Sequence, residues 1–389
     1  MRVTHVITRL IVGGAQENTV ATVLGLRQIP GVCVRLISGP THGSEGSLEG
    51  ALAVDPEMLT TLPELIRPVH PWVDFRALQK LTRLFKKTRP DIVHTHSGKA
   101  GILGRLAARR ARVPVIIHTI HGPSFGNFQG RAANFIFTRA EKYTARVTDH
   151  FTVVADAMRD QYLAAGIGRP EQYTKIFSGF SLDHYLAAVN DPARRTQYGL
   201  QPEDFVVGII ARLFELKGHD DLFAVAPKLV RRCPKIKFLL VGDGPWRTRF
   251  ENQARTAGLA GHFVFTGLVP PAEVPGLVGI MDVLVHLSRR EGLARALPQA
   301  LAAARPVIAY DCDGAREVSL DGRTGFLLRP GDLTGLTDHL LQLAGDPRLR
   351  MTLGLQGRAL VRDNFTVEKM VADTHALYLQ LAAKRGLPL

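Results

Sequence analysis

The chain has 389 residues, 46% hydrophobic and 22% charged, a composition that excludes a disordered or fibrous protein and suits a globular one of about two or three domains. Three distant cysteines, Cys33, Cys233 and Cys312, exclude a disulfide framework and a cysteine zinc site, and no apolar run reaches the roughly 18 residues of a membrane span. The net charge of +14 draws phosphate-bearing partners, yet clusters such as Arg83, Lys86, Lys87 and Arg89, or Arg105, Arg109, Arg110 and Arg112, lie beside no nucleic-acid recognition signature; nucleic acid is not expected, while contact with an anionic membrane is kept. His5 and Arg9 interrupt the first apolar stretch, so no signal peptide is read and a cytoplasmic chain is expected, peripheral at the inner membrane face at most.

Apolar, β-branched runs predict strands at 3–8, 32–38, 92–95, 115–119 and 150–154, then at 205–210, 237–241, 263–266, 283–287 and 307–310. Helical patterns follow most of them, which makes the fold class α/β with parallel sheets. So many strands exceed one open sheet, so two doubly wound domains are expected. The break is placed in 181–203, where Asp191-Pro192 and Gln201-Pro202 interrupt the rhythm, and 366–384 reads as a long closing helix.

Candidate functional residues cluster where these strands end. After the first strand, Gly13-Gly14 lets backbone N–H groups approach a ligand at a helix start, although it is neither a dinucleotide fingerprint nor a phosphate-binding Walker loop. His94-Thr-His96 closes the strand at 92–95, and Lys99 lies in the next helix start. Two histidines one residue apart could hold a metal, but no third ligand is near in sequence, and none is expected. His121, beside Gly122-Pro123, is a strand-end imidazole suited to bonding a sugar hydroxyl.

In the second half, Arg212 and Lys217-Gly218 put a planar cation and a point charge at a strand-to-helix corner, a clamp for a diphosphate. The turn Gly242-Asp243-Gly244 could admit a planar ring or a ribose. Glu291-Gly292-Leu293-Ala294-Arg295 is a loop running into a helix expected at 295–304, which presents one acid beside helix N–H donors, with Gln299 one turn further on. Asp311-Cys312-Asp313 is read as a loop leading into a helix and not as a metal motif.

Taken together, these segments resemble a family-4 retaining glycosyltransferase of the GT-B fold, of the polysaccharide- or glycolipid-assembly type. The resemblance rests on Gly13-Gly14, Asp91 to His96, His118 to Gly122, Arg212 with Lys217-Gly218, Val241 to Pro245, Glu291-Gly292 through Pro306-Val307, Gly322-x-x-Gly325, and more softly on Ser97 to Gly104. It implies two Rossmann-like domains facing across a cleft: 1–185 for the acceptor, with 366–389 packing back onto it, and 186–365 for the nucleotide sugar. It also implies a UDP- or GDP-linked donor, a glycan or lipid-linked acceptor, no resident metal or other cofactor, and a front-face route in which the leaving phosphate helps to take the acceptor proton.

On that resemblance, Glu291, His121, Lys217 and Arg212 carry the chemistry. Gly13, Gly14, Gly242, Asp243, Gly292, Leu293, Ala294, Arg295 and Gln299 complete the donor site, and His94, His96 and Lys99 stand with His121 on the acceptor side. The family's second acid is replaced by Gln299, which would hold the ribose with neutral hydrogen bonds, and Ala304 stands where the family commonly has glycine, a change expected to affect packing alone. The rival reading is a catalytically silent nucleotide-sugar-binding or scaffold subunit of the same fold.

Overall fold

The computed structural model describes residues 1–41, 46–52, 55, 57–126 and 128–387. Residues 388 and 389 of the expected closing segment therefore lie outside the described residues. The chain forms two compact units, Met1–Phe180 with Thr366–Leu389, and Ser181–Phe365.

The first unit is built on β1 (Arg2–Ile7), β2 (Cys33–Ser38), β3 (Leu59–Thr61), β4 (Ile92–His96), β5 (Val115–Ile120), β6 (His150–Val153) and β7 (Tyr173–Lys175). They pair in the order β3-β2-β1-β4-β5-β6-β7, all parallel. The second unit holds β8 (Phe205–Ile210), β9 (Ile236–Val241), β10 (Phe263–Gly267), β11 (Val283–His286), β12 (Val307–Tyr310) and β13 (Gly325–Leu328). Their order is β10-β9-β8-β11-β12-β13, again all parallel. Every run expected to be a strand is one, and the strands not anticipated are β3, β7 and β13, which are short sheet edges.

Both faces of each sheet are covered by helices, so central strands such as β5, Val-Ile-Ile-His-Thr-Ile, are buried throughout. The helix His219–Arg232 turns Leu222, Phe223, Val225, Ala226 and Leu229 onto the second sheet. The closing helix Val367–Lys384 starts where the Thr366 hydroxyl accepts from the Lys369 N–H at 3.1 Å, a side-chain cap. It adds Met370, Val371, Leu377, Tyr378 and Leu381 to the core of β1, β2 and the helix Gly14–Arg27. Among the described residues no helix is long and apolar enough to cross a membrane.

In each unit the strand order reverses once, between β1 and β4 and between β8 and β11. The carboxyl ends of strands at such a reversal are the usual ligand position in an open parallel sheet.

Candidate active site

At the reversal in the second unit, the loop after β8 carries Lys217 and the loop after β11 carries Glu291. The Lys217 Nζ donates to Glu291 Oε1 at 2.5 Å, with about a quarter of each side chain exposed. Backbone stitching brings the loops together. Arg289 N–H and the Ser288 hydroxyl both donate to the Leu216 carbonyl, at 2.8 and 3.2 Å. Gly218, at φ 78°, has no room for a side chain, because a Cβ would lie 2.2 Å from the Leu287 carbonyl oxygen. Burial pushes the Glu291 carboxyl up, but the charge of Lys217 opposes it, with hydrogen bonds from Lys217 and Ser288, and the carboxyl is held below the usual carboxylate value.

Two neighbours of Glu291 were not anticipated. His286, at the end of β11, is buried with Nε2 3.8 Å from Glu291 Oε1 and no hydrogen bond to that nitrogen among the described residues. Burial lowers its pKa, which keeps it neutral. Asp313 accepts the Glu291 backbone N–H at 2.7 Å, and the Gly314 N–H donates to the Gly292 carbonyl at 2.8 Å. The Asp311–Asp313 segment thus clamps the Glu291 loop.

The other donor-side candidates of the second unit follow β8, β9 and β11 in the chain. Arg212 is exposed, its guanidinium 5.5 Å from the Phe214 ring centre. Gly242, at φ 133°, has no room for a side chain, because a Cβ would lie 2.4 Å from the Ala211 carbonyl oxygen. Asp243 is engaged locally, accepting from the Gly244 N–H at 2.7 Å and pairing with Arg247 at 3.3 Å.

Gly292, Leu293 and Ala294 are buried in the approach to the helix, and Arg295 is its half-buried N-cap. That helix, Ala296–Ala302, is shorter than expected. Gln299 lies half-buried on it, and its side-chain amide has no protein partner among the described residues. Ala304 sits at φ 54°, so the glycine it replaces served backbone conformation and not packing. The Gly354 backbone closes against it, since a Cβ there would lie 2.1 Å from the Ala304 carbonyl oxygen.

In the first unit, Gly13 caps the helix Gly14–Arg27 with extended backbone and no side-chain bond, leaving the helix start bare. Three of the four acceptor-side candidates are internally committed. His94 is buried, with Nδ1 2.6 Å from the Tyr378 hydroxyl and Nε2 2.6 Å from the Thr119 hydroxyl. His96 is buried with its ring nitrogens bonded to His5 and His121, at 2.9 and 3.0 Å. Lys99 pairs with Asp74 and donates to the Pro68 carbonyl. These three side chains are engaged within the protein. His121 alone of the four keeps a ring nitrogen, Nδ1, without a partner among the described residues. Its loop is anchored by Ser124, which bonds the buried Glu141 at 2.9 Å and Tyr162 at 2.8 Å.

The third imidazole that sequence spacing lacked comes from β1, where His5 stands across from His94. Coordinating nitrogens of His5, His94 and His96 all lie within 4.8 Å of one another, close enough for a metal. All six of their ring nitrogens, however, stand within hydrogen-bond distance of His121, Tyr378, Thr119 or one another, so a cation would have to displace those bonds.

Comparison with known proteins gives the family and the fold. The family model Glycosyl transferases group 1 matches residues 190–360, and the Glycosyl transferase 4-like domain matches 13–176. The chain is 31% identical to the GDP-mannose-dependent alpha-(1-6)-phosphatidylinositol monomannoside mannosyltransferase of Mycolicibacterium smegmatis, over 68% of this chain and 69% of that one. It is 26% identical to the UDP-Gal:alpha-D-GlcNAc-diphosphoundecaprenol alpha-1,3-galactosyltransferase of Escherichia coli, over 83% and 84%. Anabaena Alr3699/HepE, solved with UDP, superposes with a TM-score of 0.80 at 21% identity, over 98% of this chain and 100% of that one. The chain therefore has the GT-B fold and belongs to the group 1, family-4 type glycosyltransferases.

Proposed function

We propose that the second unit holds a UDP- or GDP-linked sugar at the ends of β8 and β11, and that the enzyme transfers the sugar with retention to a hydroxyl of a glycan or lipid-linked acceptor served by the first unit. The observation that carries this reading is the Lys217–Glu291 pair at the strand-order reversal. Lys217 and exposed Arg212 supply the positive charge that a departing diphosphate needs, and Glu291 supplies acceptors for sugar hydroxyls. Gln299 takes the ribose through a neutral amide. UDP-sugar and GDP-sugar use by the two relatives, and the undecaprenol- and phosphatidylinositol-linked acceptors in their names, support the donor and acceptor classes.

The test is transfer from UDP- and GDP-sugars to a diphosphoprenol-linked sugar. Lys217→Ala and Glu291→Ala are each expected to lower kcat/KM by about 10²-fold or more while melting as cooperatively as the parent. Near-normal turnover in both would remove the site assignment.

A membrane-facing surface on the first unit belongs to the same reading. Trp72 and Phe75 are 66% and 45% exposed at the start of the helix Pro71–Thr88, which also carries Arg76, Arg83, Lys86 and Lys87. Phe135 and Ile136 are 66% and 61% exposed on the helix Arg131–Ala145, beside Arg131, Arg139 and Lys142. Both helices flank Gly98–Arg110. Exposed aromatic and aliphatic side chains among cations fit an anionic bilayer surface. Co-sedimentation with phosphatidylglycerol vesicles is expected, weakening at high salt and in Trp72→Ser/Phe135→Ser; equal binding to neutral phosphatidylcholine vesicles would count against it.

A further inference from the structure

We propose that His121 is held in the tautomer with its proton on Nδ1 by an unbroken run of buried hydrogen bonds, so that it meets its ligand as a hydrogen-bond donor and not as a base. The inference rests on the reading that places His121 on the acceptor side; the tautomer itself does not depend on it.

The run starts at Thr152 on β6. The Thr152 hydroxyl lies 2.5 Å from that of Thr119, which lies 2.6 Å from His94 Nε2. His94 Nδ1 is 2.6 Å from the Tyr378 hydroxyl, which is 3.1 Å from His5 Nε2. His5 Nδ1 is 2.9 Å from His96 Nε2, and His96 Nδ1 is 3.0 Å from His121 Nε2. Strand register assembles this run: His5 stands opposite His94, His96 opposite Thr119, and Thr119 opposite Thr152. One sheet face therefore carries all of these β-strand groups, and the closing helix lowers Tyr378 onto it.

Proton counting decides the direction. Thr152, Thr119, His94, Tyr378, His5 and His96 each hold one mobile proton when neutral, and six bonds join them to one another and to His121. All six groups are buried, and a buried donor without an acceptor is costly. Among the described residues the Thr152 hydroxyl has Thr119 as its one hydrogen-bond partner, so it must donate to it. Thr119 must then donate to His94, His94 to Tyr378, Tyr378 to His5, His5 to His96, and His96 to His121 Nε2. Any reversal strands a proton. With Nε2 accepting, His121 carries its own proton on Nδ1, the nitrogen with no protein partner.

Burial supports the neutral forms on which the count depends: His5 is lowered to about 3 and His121 to about 4, and His94 and His96 fall well below 6.5. An Nδ1–H donor can bond a sugar or acceptor oxygen but has no lone pair with which to remove the acceptor proton. That proton must leave by another route, which the departing diphosphate oxygen can provide. His96 and His5 are accordingly positioning residues.

The decisive measurement is a long-range ¹H–¹⁵N correlation spectrum of the full chain labelled at histidine ring nitrogens, with His121 assigned by the signal lost in His121→Asn. A protonated Nδ1 and an unprotonated Nε2 are expected; a protonated Nε2 overturns the proposal. His96→Phe removes the donor that fixes His121 Nε2 as acceptor, so Nδ1–H should no longer be the sole tautomer, and kcat should fall by about 10²-fold with donor KM within about twofold. Tyr378→Phe leaves the His5–His96–His121 run its two protons, and should keep the His121 tautomer even if the protein is less stable. Loss of the tautomer in Tyr378→Phe but not in His96→Phe would contradict the count, as would a transition metal bound stoichiometrically to the histidines of the purified chain. If the wild type transfers no sugar, the acceptor-side role fails while the tautomer measurement still stands.

Discussion

Glu291 and Lys217 were legible in the sequence because each follows a strong strand and precedes a helix. Their direct pairing across 74 residues was not, since it arises from β8 and β11 becoming neighbours. The same reason hid His286, Asp313 and His5, whose significance depends on strand order and not on local spacing. Gln299 is the informative departure. It lies on the helix that follows the Glu291 loop with its amide uncommitted, so Gln299→Glu introduces a charge-assisted acceptor without breaking a protein bond. Calorimetry should show the nucleotide sugar binding about five- to tenfold more tightly to Gln299→Glu, consistent with the stronger bonds of ionised acceptors. Weaker binding would remove the ribose assignment.

At the scale of elements, the central strands announced themselves by long apolar, β-branched runs, while the edges did not. β3 and β7 have three residues each, Leu-Thr-Thr and Tyr-Thr-Lys, too short for a periodic signal, and β13 is Gly-Phe-Leu-Leu. The helix Ala296–Ala302 ends early because the chain turns at Ala304 into left-handed backbone, where a Cβ is strained by about 1–2 kcal/mol. Ala304→Gly should therefore raise the unfolding free energy by about 1 kcal/mol, read by urea denaturation, with no loss of activity. Gly354 faces the opposite constraint: a methyl there meets backbone, so Gly354→Ala should be destabilising. Neither requirement is visible in helix propensity.

For the molecule as a whole, the two-unit α/β architecture was readable from the rhythm of strands and helices, but the burial of so many imidazoles was not. His5, His94, His96, His118 and His121 all have folded-state values lowered by burial below the ordinary 6.5. The unfolded chain takes up these protons first as pH falls, so the stabilisation is complete above 6.5 and declines below it, toward about 4 for His121 and about 3 for His5. Unfolding free energies measured from pH 7.5 to 5 should drop more steeply than the ~1.4 kcal/mol per pH unit that one histidine gives. A flat profile would show these rings to be solvated. The path of the chain adds a constraint on biosynthesis. Met370, Leu377, Tyr378 and Leu381 complete the core of a sheet whose last strand ends at Lys175, and the whole second unit is made in between. A nascent chain that has emerged as far as Phe180 therefore carries an uncovered apolar face and a His5–His94 pair awaiting its hydroxyl. Of the two units, the one whose synthesis starts earlier is also the one whose synthesis ends later.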